Sequence, residues 1–256
     1  MADAEGQKAQ QKGDGPLFAH VVRVYDGVAG LSLQTGMDAG LTGFDRAADS
    51  FLFADDHLVS PLAEAAPAEI MLIESLAHHA DGAAPKILVS GNVFGLTAIA
   101  FALAFPQATV HVLPCLRGAA AELSNDITKG LAEKYGLTIK LVDGLTEHYD
   151  IVWLAADVLG KNFDQTIEDV SKHISETGLM LVRAAIRNHA AGTLAQIAHR
   201  YGFEHKLLRR TSSGMGALWP SKAGPIWQDA LKPYDDTRWH QVLGMIHDQR
   251  MTTHET

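Results

Sequence analysis

Residues 86–114 read KILVSGNVFGLTAIAFALAFPQATVHVLP, and this stretch decides the fold of the chain. Lys86 to Ser90 predicts a short buried strand, because its residues after the lysine are apolar or small. Leu96 to Phe105 is apolar throughout and predicts a buried helix that ends at Pro106. Thr109 to Leu113 predicts a second strand. Apolar strands separated by helices are typical of a parallel sheet that is covered on both faces.

The same alternation continues towards the C-terminus. Further strands are predicted at Thr138–Val142, Tyr149–Ala155 and Leu179–Ala184, and further helices at Arg117–Tyr135, Phe163–Glu176 and Ala190–Tyr201. Glu204–Arg210 and Gly216–Trp219 predict a terminal hairpin, because a short Thr-Ser-Ser-Gly connection joins them. The predicted fold class is therefore α/β: a Rossmann-like, mostly parallel seven-stranded sheet with helices on both faces and an antiparallel last strand.

The N-terminal third of the chain has a different pattern. Residues 1–16 are polar and predict a disordered tail without a signal peptide. Leu17 to Ala80 shows frequent glycines, helical periodicity as in Glu69–His79, and no clear strand. Three units are thus predicted: a tail at 1–16, a helical cap at 17–80 and a Rossmann-like domain at 81–256.

Composition excludes several classes of protein. The 256 residues include 21 Lys plus Arg against 30 Asp plus Glu, a net charge of −9, which argues against binding to a nucleic-acid backbone. The single cysteine, Cys115, excludes an internal disulfide framework and a Cys-rich zinc module, and it fits a reducing cytoplasm. The longest apolar stretch has about half of the ~20 residues that a membrane span needs. We therefore expect a cytoplasmic protein without a membrane or nucleic-acid partner.

The turn after the first predicted strand of the sheet is the expected ligand site, because ligands of open α/β sheets bind at the carboxyl ends of strands. Gly91 and Gly95 let the backbone bend tightly and approach a ligand; the alternative is that they serve the turn alone. The dinucleotide fingerprint fails at Val93 and Leu96, and the phosphate-binding P-loop fails because no Gly-Lys-Ser/Thr follows this turn. A short-chain dehydrogenase pattern matches Ser90 to Thr97 in part, but no tyrosine is followed four residues later by lysine.

The stretch 86–114 resembles the first motif, helix and second strand of class I S-adenosylmethionine-dependent methyltransferases, in particular the branch with a G-N-x-F-G loop. The resemblance extends from Ala68 to Pro220, and it includes Tyr149–Val152 and Gly178–Val182 as the fourth and fifth strands of that fold. It implies S-adenosylmethionine as cofactor and direct displacement at its methyl carbon, in which positioning supplies most of the catalysis.

The resemblance also implies where the cofactor lies. The residues concerned surround the carboxyl ends of four strands: Gly91, Asn92, Val93, Gly95, Pro114, Cys115, Asp143, Gly144, Ala156 and Asp157. Alternatives remain for two of these residues, because Asp143 also suits a turn and Asp157 a helix N-cap.

Two positions depart from the family pattern. Val89 stands where an acidic residue usually precedes the first glycine. Pro114 stands where a carboxylate usually accepts hydrogen bonds from both ribose hydroxyls of the cofactor. Loss of such a charged hydrogen bond, worth about 1.5–3 kcal/mol, lowers the affinity for the cofactor by roughly 10- to 100-fold.

No catalytic metal is expected. Catechol-type members of the family take metal ligands after strands four and five, and Arg183 to Arg187 offers no carboxylate or amide. His240, His247 and His254 recur every seven residues, too far apart on a helix to converge on one ion. The general base stays open; the candidates are His57, His189 and Asp157.

Two functions of different class follow. The first is methyl transfer to a small-molecule acceptor. The second is a catalytically inactive, methyltransferase-like subunit with a structural or regulatory role, which acts through a partner protein. A nicotinamide-dependent reductase is a third hypothesis. A homodimer is possible in any of these cases.

Overall fold

The computed structural model describes residues 16–35, 50–55, 57–62, 65–80, 84–114, 118–155, 163–186, 189–209, 211 and 214–235. Several sequence predictions fall partly or wholly outside these ranges. Among them are the tail up to residue 15, the predicted domain junction at Asp81-Gly82 and, beyond residue 235, the C-terminal helix that the sequence predicts over Trp227–Thr256.

The described residues form ten strands and seven α-helices. The strands are β1 Leu31–Thr35, β2 Ser50–Ala54, β3 His57–Leu62, β4 Lys86–Asn92, β5 Thr109–Pro114, β6 Ile139–Leu141, β7 Tyr149–Ala155, β8 Ile174–Arg183, β9 Phe203–Leu208 and β10 Met215–Pro220. The helices are α1 Leu17–Asp26, α2 Pro67–His79, α3 Leu96–Ala104, α4 Ala119–Tyr135, α5 Phe163–Ser171, α6 Ala191–Tyr201 and α7 Ile226–Asp235.

Seven of these strands form one sheet in the order β6-β5-β4-β7-β8-β10-β9. β4, β5, β6, β7 and β8 pair in parallel, whereas β10 runs antiparallel to both of its neighbours, β8 and β9. The chain leaves β4 towards β5 and β6, then returns to place β7 on the other side of β4. The topological switch point therefore lies between β4 and β7, where open α/β sheets bind ligands. The predicted sheet is confirmed.

Helices cover both faces of this sheet. Alternate residues of its strands point to opposite faces, so each face forms its own hydrophobic cluster with the helices that cover it. Val89, Trp153 and Leu181 belong to one hydrophobic cluster, which they share with residues of α1, α2 and α3. Leu88, Val152 and Met180 belong to a second cluster with residues of α5 and α6. α1 thus packs into the same core as the central strands.

The prediction that residues 17–80 contain no strand is wrong. β1, β2 and β3 form a three-stranded antiparallel sheet, in which Leu33 pairs with Leu52 and both side chains are buried. Both leucines belong to the first hydrophobic cluster, so one face of this small sheet packs into the main core. Glycines near these strands and Pro61 within β3 mask the alternation that normally marks a strand. The helices predicted in this region are present as α1 and α2.

One predicted boundary also moves. The helix expected to reach Glu176 ends at Ser171, and β8 begins at Ile174. The Tyr149 amide donates to the His173 carbonyl at 2.8 Å, and Tyr149 pairs with Ile174 in the sheet. Pairing with β7 therefore overrides a local sequence that carries no helix-breaking residue. The sequence also predicts Gly136 as the C-cap of the helix that ends at Tyr135, and its left-handed φ of +64° confirms this.

Candidate functional site

The turn between β4 and α3, residues 91–95, is built from left-handed backbone. Gly91 has φ +97°, Phe94 +57° and Gly95 +90°. A Cβ on Gly91 would lie 2.5 Å from the Ala155 Cβ, and one on Gly95 would lie 3.0 Å from the Thr128 Oγ1. Both glycines are therefore required by backbone conformation and by close packing, without reference to a ligand.

Phe94 is a non-glycine residue in a conformation that costs roughly 1–2 kcal/mol. Its amide donates to the Ser124 Oγ at 2.8 Å, and its carbonyl oxygen accepts from the Tyr25 hydroxyl at 2.7 Å. The phenylalanine side chain is 5% exposed and packs into the first cluster. Contacts from α1 and α4 thus hold this part of the turn.

Asn92 is held in the same way. Its side-chain amide donates to the Thr128 Oγ1 at 3.1 Å, and the Thr128 hydroxyl donates to the Ser124 carbonyl at 2.7 Å. All three residues are at most 2% exposed. The asparagine side chain therefore points into the protein and anchors the turn to α4.

The other predicted cofactor residues lie at the ends of neighbouring strands. Pro114 ends β5 beside Asn92 and is half-buried, as is Val93 in the turn. Asp143 and Gly144 follow β6 and are exposed, and a Cβ on Gly144 would have nothing within 4 Å. The structure thus groups these residues at one edge of the sheet. Cys115, Ala156 and Asp157 lie outside the described residues.

A buried ion pair at the same edge was missed by the sequence reasoning. The Arg183 Nε donates to the Glu69 Oε2 at 2.8 Å, and that oxygen also accepts from the Ala66 amide at 2.9 Å. The Glu69 side chain is inaccessible and that of Arg183 is 10% exposed. The pair joins the start of α2 to the end of β8 across 114 residues of sequence, and no local pattern signals it.

The amino edge of the sheet carries a second polar group of residues. Lys86 forms an exposed ion pair with Glu147 at 2.6 Å, which raises the pKa of the lysine and lowers that of the glutamate. The His111 Nδ1 lies 3.2 Å from the Tyr149 hydroxyl. Burial lowers the pKa of His111 and raises that of Tyr149.

The candidate general bases are surface residues where they are described. His57 lies on β3 and His189 in the turn before α6, and both are exposed. Across the described ranges, no three His, Cys, Asp or Glu residues lie close enough together to hold a metal ion. None of the helices in that part of the chain combines the length and hydrophobicity of a membrane span. His240, His247 and His254 lie outside the described residues.

Comparisons with known proteins bear on the fold. No family model and no curated protein matches the chain. A putative O-methyltransferase from Klebsiella pneumoniae is similar at 14% identity and TM-score 0.49, over 85% of this chain and 95% of its own. Cofactor-bound Rv0187 from MTB is similar at 15% identity and TM-score 0.49, over 84% and 94%. A putative caffeoyl-CoA O-methyltransferase from Staphylococcus aureus is similar at 13% and TM-score 0.48, over 58% and 81%.

Similarities of this size carry no argument about activity, so the fold rests on the strand order itself. The resemblance implies a mostly parallel seven-stranded sheet with an antiparallel last strand, and the observed sheet is parallel except for β10, which lies second from one edge. The chain therefore has a Rossmann-like, mostly parallel α/β fold with an antiparallel β10.

Proposed function

We propose that this protein binds S-adenosylmethionine at the carboxyl edge of its sheet and transfers the methyl group to a small-molecule acceptor. The observation that carries the proposal is the position of the turn 91–95 at the switch point, next to the last residue of β7. Its position is where open α/β sheets hold their ligands.

The described residues fit such a cofactor in part. Asp143 and Gly144 leave open, polar surface beyond β6, which suits the adenine end. The end of β5 offers Leu113 and Pro114 and no carboxylate for the ribose. The chain would hold the adenosyl group through backbone, shape and Asp143, with weaker affinity than a carboxylate gives.

The cofactor would supply an electrophilic methyl carbon when bound. The protein's own contribution is then to fix the acceptor atom in line with that carbon and to exclude water, and this positioning accounts for most of the rate. An acceptor that is already nucleophilic needs no general base. His57 and His189 keep their place as candidates, although both are exposed.

Isothermal titration with S-adenosylhomocysteine and S-adenosylmethionine tests the proposal. We expect weak, saturable binding at one site. Pro114→Glu restores a carboxylate at the end of β5 and should tighten binding by about 10- to 100-fold, as expected for a charged hydrogen bond. Pro220→Glu is the matched control, because the end of the antiparallel β10 lies at the opposite edge of the sheet. It should leave the affinity unchanged.

A catalytically inactive, methyltransferase-like subunit is the second candidate. It is favoured by the hydrogen bonds of Phe94, because Ser124 and Tyr25 already bind its backbone amide and carbonyl, which are then not available to a ligand. No heat and no thermal shift at millimolar ligand, in the wild type and in Pro114→Glu alike, would support this candidate and exclude the first. A saturable thermal shift with NAD(P)H in place of the sulfonium ligands would indicate a reductase instead.

A further inference from the structure

The turn 91–95 is fixed by two hydroxyl groups that lie far from it in sequence. Tyr25 of α1 is inaccessible to solvent, and its hydroxyl donates to the Phe94 carbonyl at 2.7 Å. Ser124 of α4 is 1% exposed, and its Oγ accepts from the Phe94 amide at 2.8 Å. Both backbone polar groups of Phe94 are thus held from outside the turn.

These two contacts matter because the turn has an unusual backbone. Gly91, Phe94 and Gly95 are left-handed, and a left-handed phenylalanine persists only where its surroundings hold it. The phenylalanine side chain is buried in the first cluster and adds to this hold. Without the hydroxyls, the Phe94 peptide groups would have to find other partners, and other turn conformations would become populated.

We infer that Tyr25 and Ser124 are positioning residues for the ligand turn, so that binding depends on α1 and α4 as well as on the turn itself. This inference rests on the proposed function. A ligand that fits one conformation of the turn binds more weakly in proportion to the fraction of molecules that adopt it. Loss of either hydroxyl should therefore lower affinity at a distance, without removing any atom that touches the ligand.

The chain offers a matched control for this effect. The Tyr135 hydroxyl of α4 also reaches α1, where it contacts the Arg23 carbonyl at 3.5 Å on the exposed surface. Tyr135→Phe therefore removes a hydroxyl contact between α1 and α4, the two helices that hold the turn, without touching the turn. A general loosening of α1 would affect both tyrosine variants alike, whereas positioning of the turn requires Tyr25.

The test compares Tyr25→Phe, Ser124→Ala and Tyr135→Phe with the wild type. We expect the first two to lower affinity for S-adenosylhomocysteine by up to about tenfold, because the loss of one buried hydrogen bond changes the ratio of turn conformations by about that factor. Amide hydrogen exchange in residues 91–95 should become several-fold faster in both. Tyr135→Phe should change neither quantity. Ser124→Ala keeps the test valid if Tyr25→Phe does not fold.

Unchanged affinity in the folded variants overturns the inference, whatever their exchange rates. An equal loss in Tyr135→Phe overturns it as well, because the effect would then belong to helix packing. If the wild type binds no S-adenosylhomocysteine, the proposed function fails on its own. The exchange rates still decide the positioning role in that case: faster exchange supports it and unchanged exchange overturns it.

Discussion

The two edges of the seven-stranded sheet differ in how their polar groups are used. At the carboxyl edge, Tyr25, Ser124 and Glu69 are buried and each fixes a particular backbone or side-chain group. At the amino edge the contact between His111 and Tyr149 is also buried, but the ion pair there, Lys86 with Glu147, lies in solvent, with side chains 55% and 38% exposed. Buried polar contacts are costly to break and exposed ion pairs are worth little. The buried contacts at the carboxyl edge therefore hold the turn 91–95 and the Glu69–Arg183 pair in one conformation.

The largest effect is expected at Gly91. Gly91→Ala places a Cβ 2.5 Å from that of Ala155 and forces alanine to φ +97°. Strain and overpacking together should lower the free energy of unfolding by about 4 kcal/mol, measured by chemical denaturation. Gly130→Ala is the control, because this glycine lies in α4 with nothing within 4 Å of its Cβ position. It should raise stability by about 0.5–1 kcal/mol.

If Gly91→Ala is as stable as the wild type, the turn described here is wrong. If Gly130→Ala instead destabilises as much as Gly91→Ala, the loss reflects glycine replacement in general.

The buried pair at the carboxyl edge comes next. Arg183→Met removes the guanidinium that pairs with the inaccessible Glu69 carboxylate, which should lower the free energy of unfolding by about 3 kcal/mol. Lys86→Met removes the cation of the exposed pair at the amino edge. Its unfolding midpoint should stay within experimental error of the wild type, because solvent screens that pair. Equal losses in the two variants would remove the contrast between the edges.

Much of the fold could be predicted, because its signals are local. β7 lies where its continuous apolar run predicts it, at Tyr149–Ala155. The three-stranded sheet could not be predicted, since β2 and β3 are recognisable only through their pairing, across a bulge after Leu52. The helix predicted to reach Glu176 failed for the same reason, because pairing of Ile174 with Tyr149 decides that boundary.

In the candidate site, too, the local features could be predicted and the long-range contacts could not. Gly91 and Gly95 were predicted to lie in a tight turn, and both adopt the left-handed backbone that only glycine takes up readily. The groups that hold the turn were not predicted, because Tyr25 and Phe94 are 69 residues apart in sequence. The link between Glu69 and Arg183 spans 114 residues. A single sequence carries no signal for contacts of this kind.

The smallest effect concerns His111, the one buried histidine among the described residues. Burial lowers its pKa below 6.5, as do Lys140 and Lys86, while Glu147 opposes them. The unfolded chain therefore binds a proton before the folded chain does. The free energy of unfolding should be unaffected above pH 6.5 and fall as the pH drops from 6.5 towards the lowered pKa.

Denaturation between pH 7.5 and about pH 5 measures this slope. His111→Phe should flatten it. Tyr149→Phe removes the hydroxyl at 3.2 Å but keeps the ring that buries the histidine, so the slope should persist. An unchanged slope in His111→Phe contradicts the assignment.

The most direct test of the central claim is amide hydrogen exchange of the wild type with and without saturating S-adenosylhomocysteine. We expect slower exchange in residues 91–95 and 143–144 at the carboxyl edge, and no change in residues 145–150 and 172–175 at the amino edge. Protection confined to the amino edge, or saturable binding that leaves residues 91–95 and 143–144 unprotected, would contradict it.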